Sequence, residues 1–162
     1  MTTSDTAGGQ PAPELTTIAP ATTAVIRDVV PMSELRAFFD KSFGTLPGTV
    51  VAQQVEIVGG AFAFYHRPPD DTVDLEVGFS TDRAVEPADG VVASSLPGGR
   101  VARVVHAGSF DGLGESWERL RSWIVEQGLT AGPHLWEVYL TAPTPDMDPA
   151  DLRTELNWPI AD

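Results

Sequence analysis

No cysteine occurs among the 162 residues, which excludes disulfides, thiolate-held zinc and a thiol nucleophile. Basic residues are scarce too. Ten Lys and Arg stand against 23 Asp and Glu, leaving a net charge of −13 at pH 7. Proteins that hold DNA or RNA neutralise phosphates with clustered cations, so direct nucleic-acid binding is not expected. The same acidity draws cationic ligands through its long-range field, or serves only to keep the chain soluble. No apolar run approaches the roughly 18 residues of a membrane helix, and the N-terminus lacks a secretory signal's basic flank and apolar stretch. No membrane association is expected, and a cytoplasmic location is. The histidines, His66, His106 and His134, are dispersed without metal-ligand spacing, and neither a phosphate-binding loop nor a serine-hydrolase elbow occurs. No metal or cofactor is therefore expected.

What is present reads as alternating strand and helix. Residues 1–13 are polar and are read as a disordered leader to one domain spanning 14–162. The Thr- and Val-rich stretch 21–30 is a strand. After Pro31, the residues Leu35, Phe38, Phe39 and Phe43 recur at helical spacing, with a stop expected at Gly44 and Pro47-Gly48. A β-rich stretch at 50–58, a break at Gly59-Gly60, a strand at 61–67, a proline turn at 68–71 and an alternating strand at 72–80 follow. A Pro/Gly/Ala-rich connector covers 84–99. The scheme then repeats: a strand at 100–108, a helix capped by Asp111 and carrying Leu113, Trp117, Leu120 and Ile124, a stop at Gly128, and strands at 134–142 and 152–160 around a turn at 143–149.

The two runs can be superposed. Arg27 sits in VIRDVV as Arg103 sits in VARVV (103 − 27 is 76), and Tyr65 matches Tyr139 (139 − 65 is 74). A near-constant offset across strand, helix and strand marks internal duplication. The fold class that follows is α+β: two β-α-β-β halves, about 20–82 and 96–160, related by pseudo-twofold symmetry. Each half has antiparallel strands and one main helix. A single helix covers only one sheet face, so a ligand cleft is expected where the halves join.

Strand alternation sorts the side chains at that junction. In 134–141, Trp136, Val138 and Leu140 share one face, read as core beneath the helix. Leu135, Glu137, Tyr139 and Thr141 share the other. In the matching strand Phe62 and Phe64 fall on the core side, and Ala63 and Tyr65 opposite. Small Ala63 is thus the counterpart of Glu137 and leaves room beside the carboxylate. Read alone, Glu137 is a ligand counter-ion, a general acid or base, or a solvent-facing strand residue. Trp117 reads as helix core, Trp158 as a residue that reaches the groove mouth, and Glu76 and Glu155 as solvated edge residues.

The stretches LPGGRVARVVHAGSFDGLGESWERLRSWIVEQGL (96–129), GPHLWEVYLTAP (132–143), RTELNWPI (153–160) and AFAFYHRPPDDTVDLEVGFS (61–80) together resemble the GyrI-like family, also described as the AraC/MerR effector-binding family of small-molecule-binding domains. The resemblance implies a pocket between duplicated halves with a glutamate, here Glu137, at its centre, and aromatic walls where Tyr65 and Tyr139 fall; Ala63 and Trp158, placed by strand position, complete the expected ligand-binding set. It implies a stand-alone protein that captures amphipathic, cationic aromatic compounds, or alternatively a hydrolase of cyclopropane-type genotoxins with Glu137 and Tyr65 as the catalytic pair. A protein partner such as gyrase is a further implication.

Overall fold

The computed structural model describes residues 12–67, 70–141 and 148–161. Most of the polar leader, Pro68 and Pro69 of the first turn, and residues 142–147 of the second fall outside them. The described chain runs β1 (Glu14–Ile18), β2 (Ala21–Pro31), α1 (Leu35–Ala52), β3 (Ile57–Tyr65), β4 (Thr72–Thr81), β5 (Val92–Leu96), β6 (Gly99–Ala107), α2 (Leu113–Glu126), β7 (Thr130–Ala131), β8 (Leu135–Tyr139) and β9 (Arg153–Ala161). The strands make one antiparallel sheet in the order β1-β6-β9-β8-β3-β4-β2-β5, with β7 added on β9. The fold is α+β with two β-α-β-β halves, β2-α1-β3-β4 and β6-α2-β8-β9.

The duplication extends into the helices and their ends. Buried Ser42, Leu46 and Val50 of α1 correspond to buried Ser116, Leu120 and Ile124 of α2 at the offset that relates the tyrosines. The residue that leaves each helix is left-handed in both halves, Gln54 with φ 61° and Gly128 with φ 74°. Gly128 satisfies this at no steric cost, whereas Gln54 holds a conformation that side chains disfavour.

The halves meet along two seams. In one, β3 pairs with β8, setting Ala63 directly opposite Glu137 and Phe64 opposite Trp136. In the other, two long extended segments exchange ends: β1 pairs with β6 and β5 with β2. The crossing is tight, since a Cβ on Gly98 would lie 2.6 Å from Pro20 Cδ. The exchange curls the sheet back on itself, so both faces are buried.

This curl corrects the face assignment. Alternation separates Trp136 from Glu137 as expected, but both helices cover the Glu137 face. There Leu46, Val50, Leu120 and Ile124 pack with Ala63, Tyr65, Leu135 and Trp158. Trp136, Phe62 and Phe64 lie on the far face in a smaller cluster with Val25, Leu96 and Val101. Alternation tells which side chains share a face and is silent on which face a helix will cover.

Other expectations shift for related reasons. α1 does not stop at Gly44 or Pro47-Gly48 but runs on to Ala52 with Pro47 inside it. Leu46, Thr49 and Val50 of that stretch are buried, and their packing outweighs the roughly 3 kcal/mol a helical proline costs. Residues 50–52 are therefore helix, not strand. Gly59-Gly60 is no break but a register irregularity inside β3. The 84–99 connector contains β5, and residues 14–18 form β1. Asp111 does not cap α2. It belongs to a 3-10 turn, Phe110–Gly112, that feeds the helix without a side-chain cap. Glu76 is not a solvated edge residue: it is buried on the far face, accepting from Ser94 Oγ at 2.8 Å and lying 3.1 Å from His66 Nε2. Glu155 is half-buried, 3.6 Å from the Arg103 guanidinium.

Candidate functional site

Between α1, α2 and the central strands lies a cavity of about 760 Å³. The β3–β8 seam carries Ala61, Tyr65, Leu135, Glu137 and Tyr139 to its wall. From α1 come Leu35, Phe39, Asp40 and Phe43, and from the α2 side come Phe110, Leu113, Gly114, Trp117 and Glu118, while Trp158 enters from β9. The first half supplies α1 and β3 to the wall and the second supplies α2, β8 and β9, so neither half encloses the space alone.

Glu137 is 5% exposed, and its partners are neutral. Trp117 Nε1 donates to Oε1 at 3.2 Å, and the Tyr139 hydroxyl donates to Oε2 at 2.6 Å. Burial pushes the carboxyl pKa up, and hydrogen bonds from Tyr139, Trp117 and Tyr65 partly oppose that rise. Tyr65 and Tyr139 are both held well above the usual phenol range, by burial first and by the adjacent Glu137 charge second. Both hydroxyls therefore remain protonated donors at neutral pH. The ionisable residues of the lining are Asp40, Glu118, Glu137 and the two tyrosines, with no Lys, Arg or His among them. A buried carboxylate without a cationic partner is costly to keep ionised.

The aromatic walls have defined geometry. Tyr139 meets Phe39 edge-on at 6.4 Å and 83°, and Phe110 at 5.9 Å and 77°. Phe39 lies parallel to Phe43 at 6.2 Å, and Trp117 stands nearly perpendicular to Trp158 at 5.6 Å. Trp158 is fixed by its Nε1 donating to the Gly132 carbonyl at 2.8 Å. Ring faces present negative potential, so such a wall attracts a cation as well as apolar surface.

Of the residues singled out from sequence, Glu137, Tyr139, Tyr65 and Trp158 converge on the cavity. Ala63 does not line it: the residue is fully buried in register with Glu137, and Ala61 takes its place at the wall. Trp117, read as helix core, is a cavity residue and a direct donor to the carboxylate. Its helical stripe is divided, with Leu113 and Trp117 facing the hollow and Leu120 and Ile124 packed on the sheet. The 3.6-residue period marks the inward face and does not report whether space lies beneath it. Phe39, Phe43 and Phe110 were also missed as wall residues, the first two because their spacing signals packing equally well. The histidines stay outside the cavity. His66 and His134 come together on the far face with ring centroids 6.0 Å apart, and no group of three or more metal-ligating side chains is found among the described residues.

Residues 11–161 match the GyrI-like small molecule binding domain family. The chain belongs to that family. As a GyrI-like domain it superposes on the EcmrR C-terminal domain with a TM-score of 0.81 at 18% identity, covering 93% of this chain and 97% of that one. In the EcmrR–DNA complex the match covers 92% of this chain and 57% of the longer EcmrR chain, with a TM-score of 0.77 at 18% identity. SAV2435 bound to tetraphenylphosphonium gives 0.66 at 13% identity over 93% and 94% of the two chains. A hydrolase from Listeria innocua gives 0.67 at 12% identity over 92% and 91%. A comparison with curated protein sequences gives no match. Among the described residues no helix is long and apolar enough to cross a membrane.

Proposed function

We propose that this GyrI-like domain captures amphipathic, cationic aromatic compounds in the cavity between its halves, with Glu137 as the counter-ion. The observation that carries the reading is a buried carboxylate, held only by neutral donors, facing an aromatic hollow whose lining has no cationic side chain. A flat or propeller-shaped cation supplies the missing charge and covers the rings, at about 25 cal/mol for each Å² of apolar surface removed from water. The tetraphenylphosphonium bound by SAV2435 has this chemistry. The test is a tryptophan-fluorescence titration, using Trp117 and Trp158 as reporters, with tetraphenylphosphonium and with neutral triphenylphosphine oxide. Glu137→Gln is expected to weaken the cation far more than the neutral compound. Equal losses for both would remove the charge-pairing role.

A second reading, hydrolysis of a strained cyclopropane electrophile, is favoured by one contact, the 2.6 Å bond from the Tyr139 hydroxyl to Glu137, and by the fold likeness to the Listeria hydrolase. Here Glu137 activates water while a phenol, Tyr65 or Tyr139, donates to the developing oxyanion. Product formation beyond one equivalent, followed by mass spectrometry and lost in Glu137→Gln, distinguishes turnover from capture.

A further inference from the structure

A second recess, of about 320 Å³, opens between α2 and β6, away from the aromatic cavity. Its wall includes Ser116, Arg119, Val104, Leu120 and Trp123. Ser116 has a defined set of partners. His106 Nδ1 lies 2.6 Å from Ser116 Oγ, His106 Nε2 lies 2.8 Å from the Ser109 carbonyl, and Arg119 Nη2 donates to Ser116 Oγ at 2.9 Å. These contacts fix the tautomer. A carbonyl only accepts, so the ring proton sits on Nε2, and Nδ1 is left as an acceptor for the Ser116 hydroxyl. The serine thus donates to a base that a third group orients, while a guanidinium rests on its oxygen. That is the arrangement of an activated nucleophile, with a main-chain carbonyl in the place an acid often takes.

The duplicated half argues against a purely structural clip. Ser42 of α1 is equally buried at the position matching Ser116 (116 − 42 is 74), but Val30 occupies the strand position matching His106 (106 − 30 is 76). The scaffold keeps a buried serine in both halves and adds the imidazole in one. The fold is completed in the first half without it.

We propose that Ser116 is a nucleophile, with His106 as its general base, acting on small carboxylic esters that enter this recess. Oγ attacks the ester carbonyl carbon as Nδ1 takes the hydroxyl proton. Collapse of the tetrahedral adduct breaks the bond to the alkoxy group, which takes that proton and leaves as the alcohol. Water, deprotonated by the same nitrogen, then releases the acid and restores the hydroxyl. The apolar side chains Val104, Leu120 and Trp123 favour a short apolar acyl group, and Arg119, donating to Oγ, stabilises the negative charge that gathers on that oxygen as its proton leaves.

The test uses the full chain and an alkyl fluorophosphonate, which bonds covalently to activated serines as fluoride departs. Intact mass and peptide mapping are expected to find one adduct, on Ser116. It should be absent in Ser116→Ala, slowed on the order of a hundredfold in His106→Gln by loss of the base, and retained in Glu137→Gln. Because the chain has no cysteine, Ser116→Cys provides a lone thiol whose iodoacetamide rate is read directly and does not depend on how His106→Gln folds. Alkylation faster than a free thiol supports the proposal. Failure of the native chain to label, an undiminished adduct in Ser116→Ala, or a Ser116→Cys thiol that reacts only after denaturation would overturn it.

Discussion

Two glutamates are buried to the same degree on opposite faces of one sheet, and they have opposite surroundings. Glu76 on the far face has a histidine and a serine hydroxyl on its two oxygens and is not part of the aromatic cavity's wall. Glu137 on the helix face has an indole and phenols for partners and a large hollow beside it. Burial alone therefore does not mark a site. What separates the two is whether a partner able to carry positive charge is already in place: Glu76 has His66 within the fold, and Glu137 has only neutral donors.

The largest effect that sharpens this contrast is on cation affinity. Glu137→Gln is expected to raise the Kd for tetraphenylphosphonium on the order of thirtyfold, about 2 kcal/mol for a lost charge interaction in a desolvated site. Glu76→Gln should leave that Kd within about twofold, since it removes nothing from the cavity. Fluorescence titration of both variants decides, and comparable losses would erase the distinction.

Stability should separate the pair in the reverse sense. Glu76→Gln is expected to cost about 1 kcal/mol in urea unfolding, because the His66 and Ser94 contacts lose a charged acceptor. Glu137→Gln should instead raise the melting temperature at neutral pH. The folded-state pKa of Glu137 is above its unfolded value, so its contribution is fully present below the unfolded pKa and is lost as pH rises through the folded one. The advantage of the glutamine variant should shrink as pH falls toward the ordinary carboxylate range, which thermal melts across pH 4–8 would show.

The same shift sets the pH dependence of capture. A permanently charged aromatic cation needs the ionised carboxylate, so its affinity should climb as pH rises through the Glu137 titration and then level off. A neutral aromatic should show no such rise. The smallest effect is expected from Trp117→Phe, which keeps a ring at the wall and removes one donor to Oε1. A few-fold loss for the cation corresponds to the ~1 kcal/mol of a single hydrogen bond, and a loss as large as that of Glu137→Gln would make Trp117 the dominant partner.

The doubling of the chain was legible in the spacing of Arg27 with Arg103 and Tyr65 with Tyr139, and the sheet carries it through to strand pairing. The set Leu135, Glu137, Tyr139 was legible because a strand's side chains alternate whatever lies around them. The extent of α1 was not legible. Gly44, Pro47 and Gly48 are genuine helix breakers by local preference, and only the burial of Leu46 and Val50 against the sheet overrides them. Trp117 was not legible as a donor to Glu137 either, since helical spacing assigns it inward without saying that a carboxylate waits there.

Sequence by itself determined the main strands and the start of each helix, their repetition and which side chains share a face, because those follow from short-range backbone geometry with periods of two and 3.6 residues. Tertiary structure alone decided which face the helices cover, that β1 and β5 exchange partners and curl the sheet, and that Glu76 meets a histidine while Glu137 meets only neutral donors. Those outcomes rest on contacts between residues far apart in the chain, where the balance of burial and polar pairing is struck only once both halves are in place.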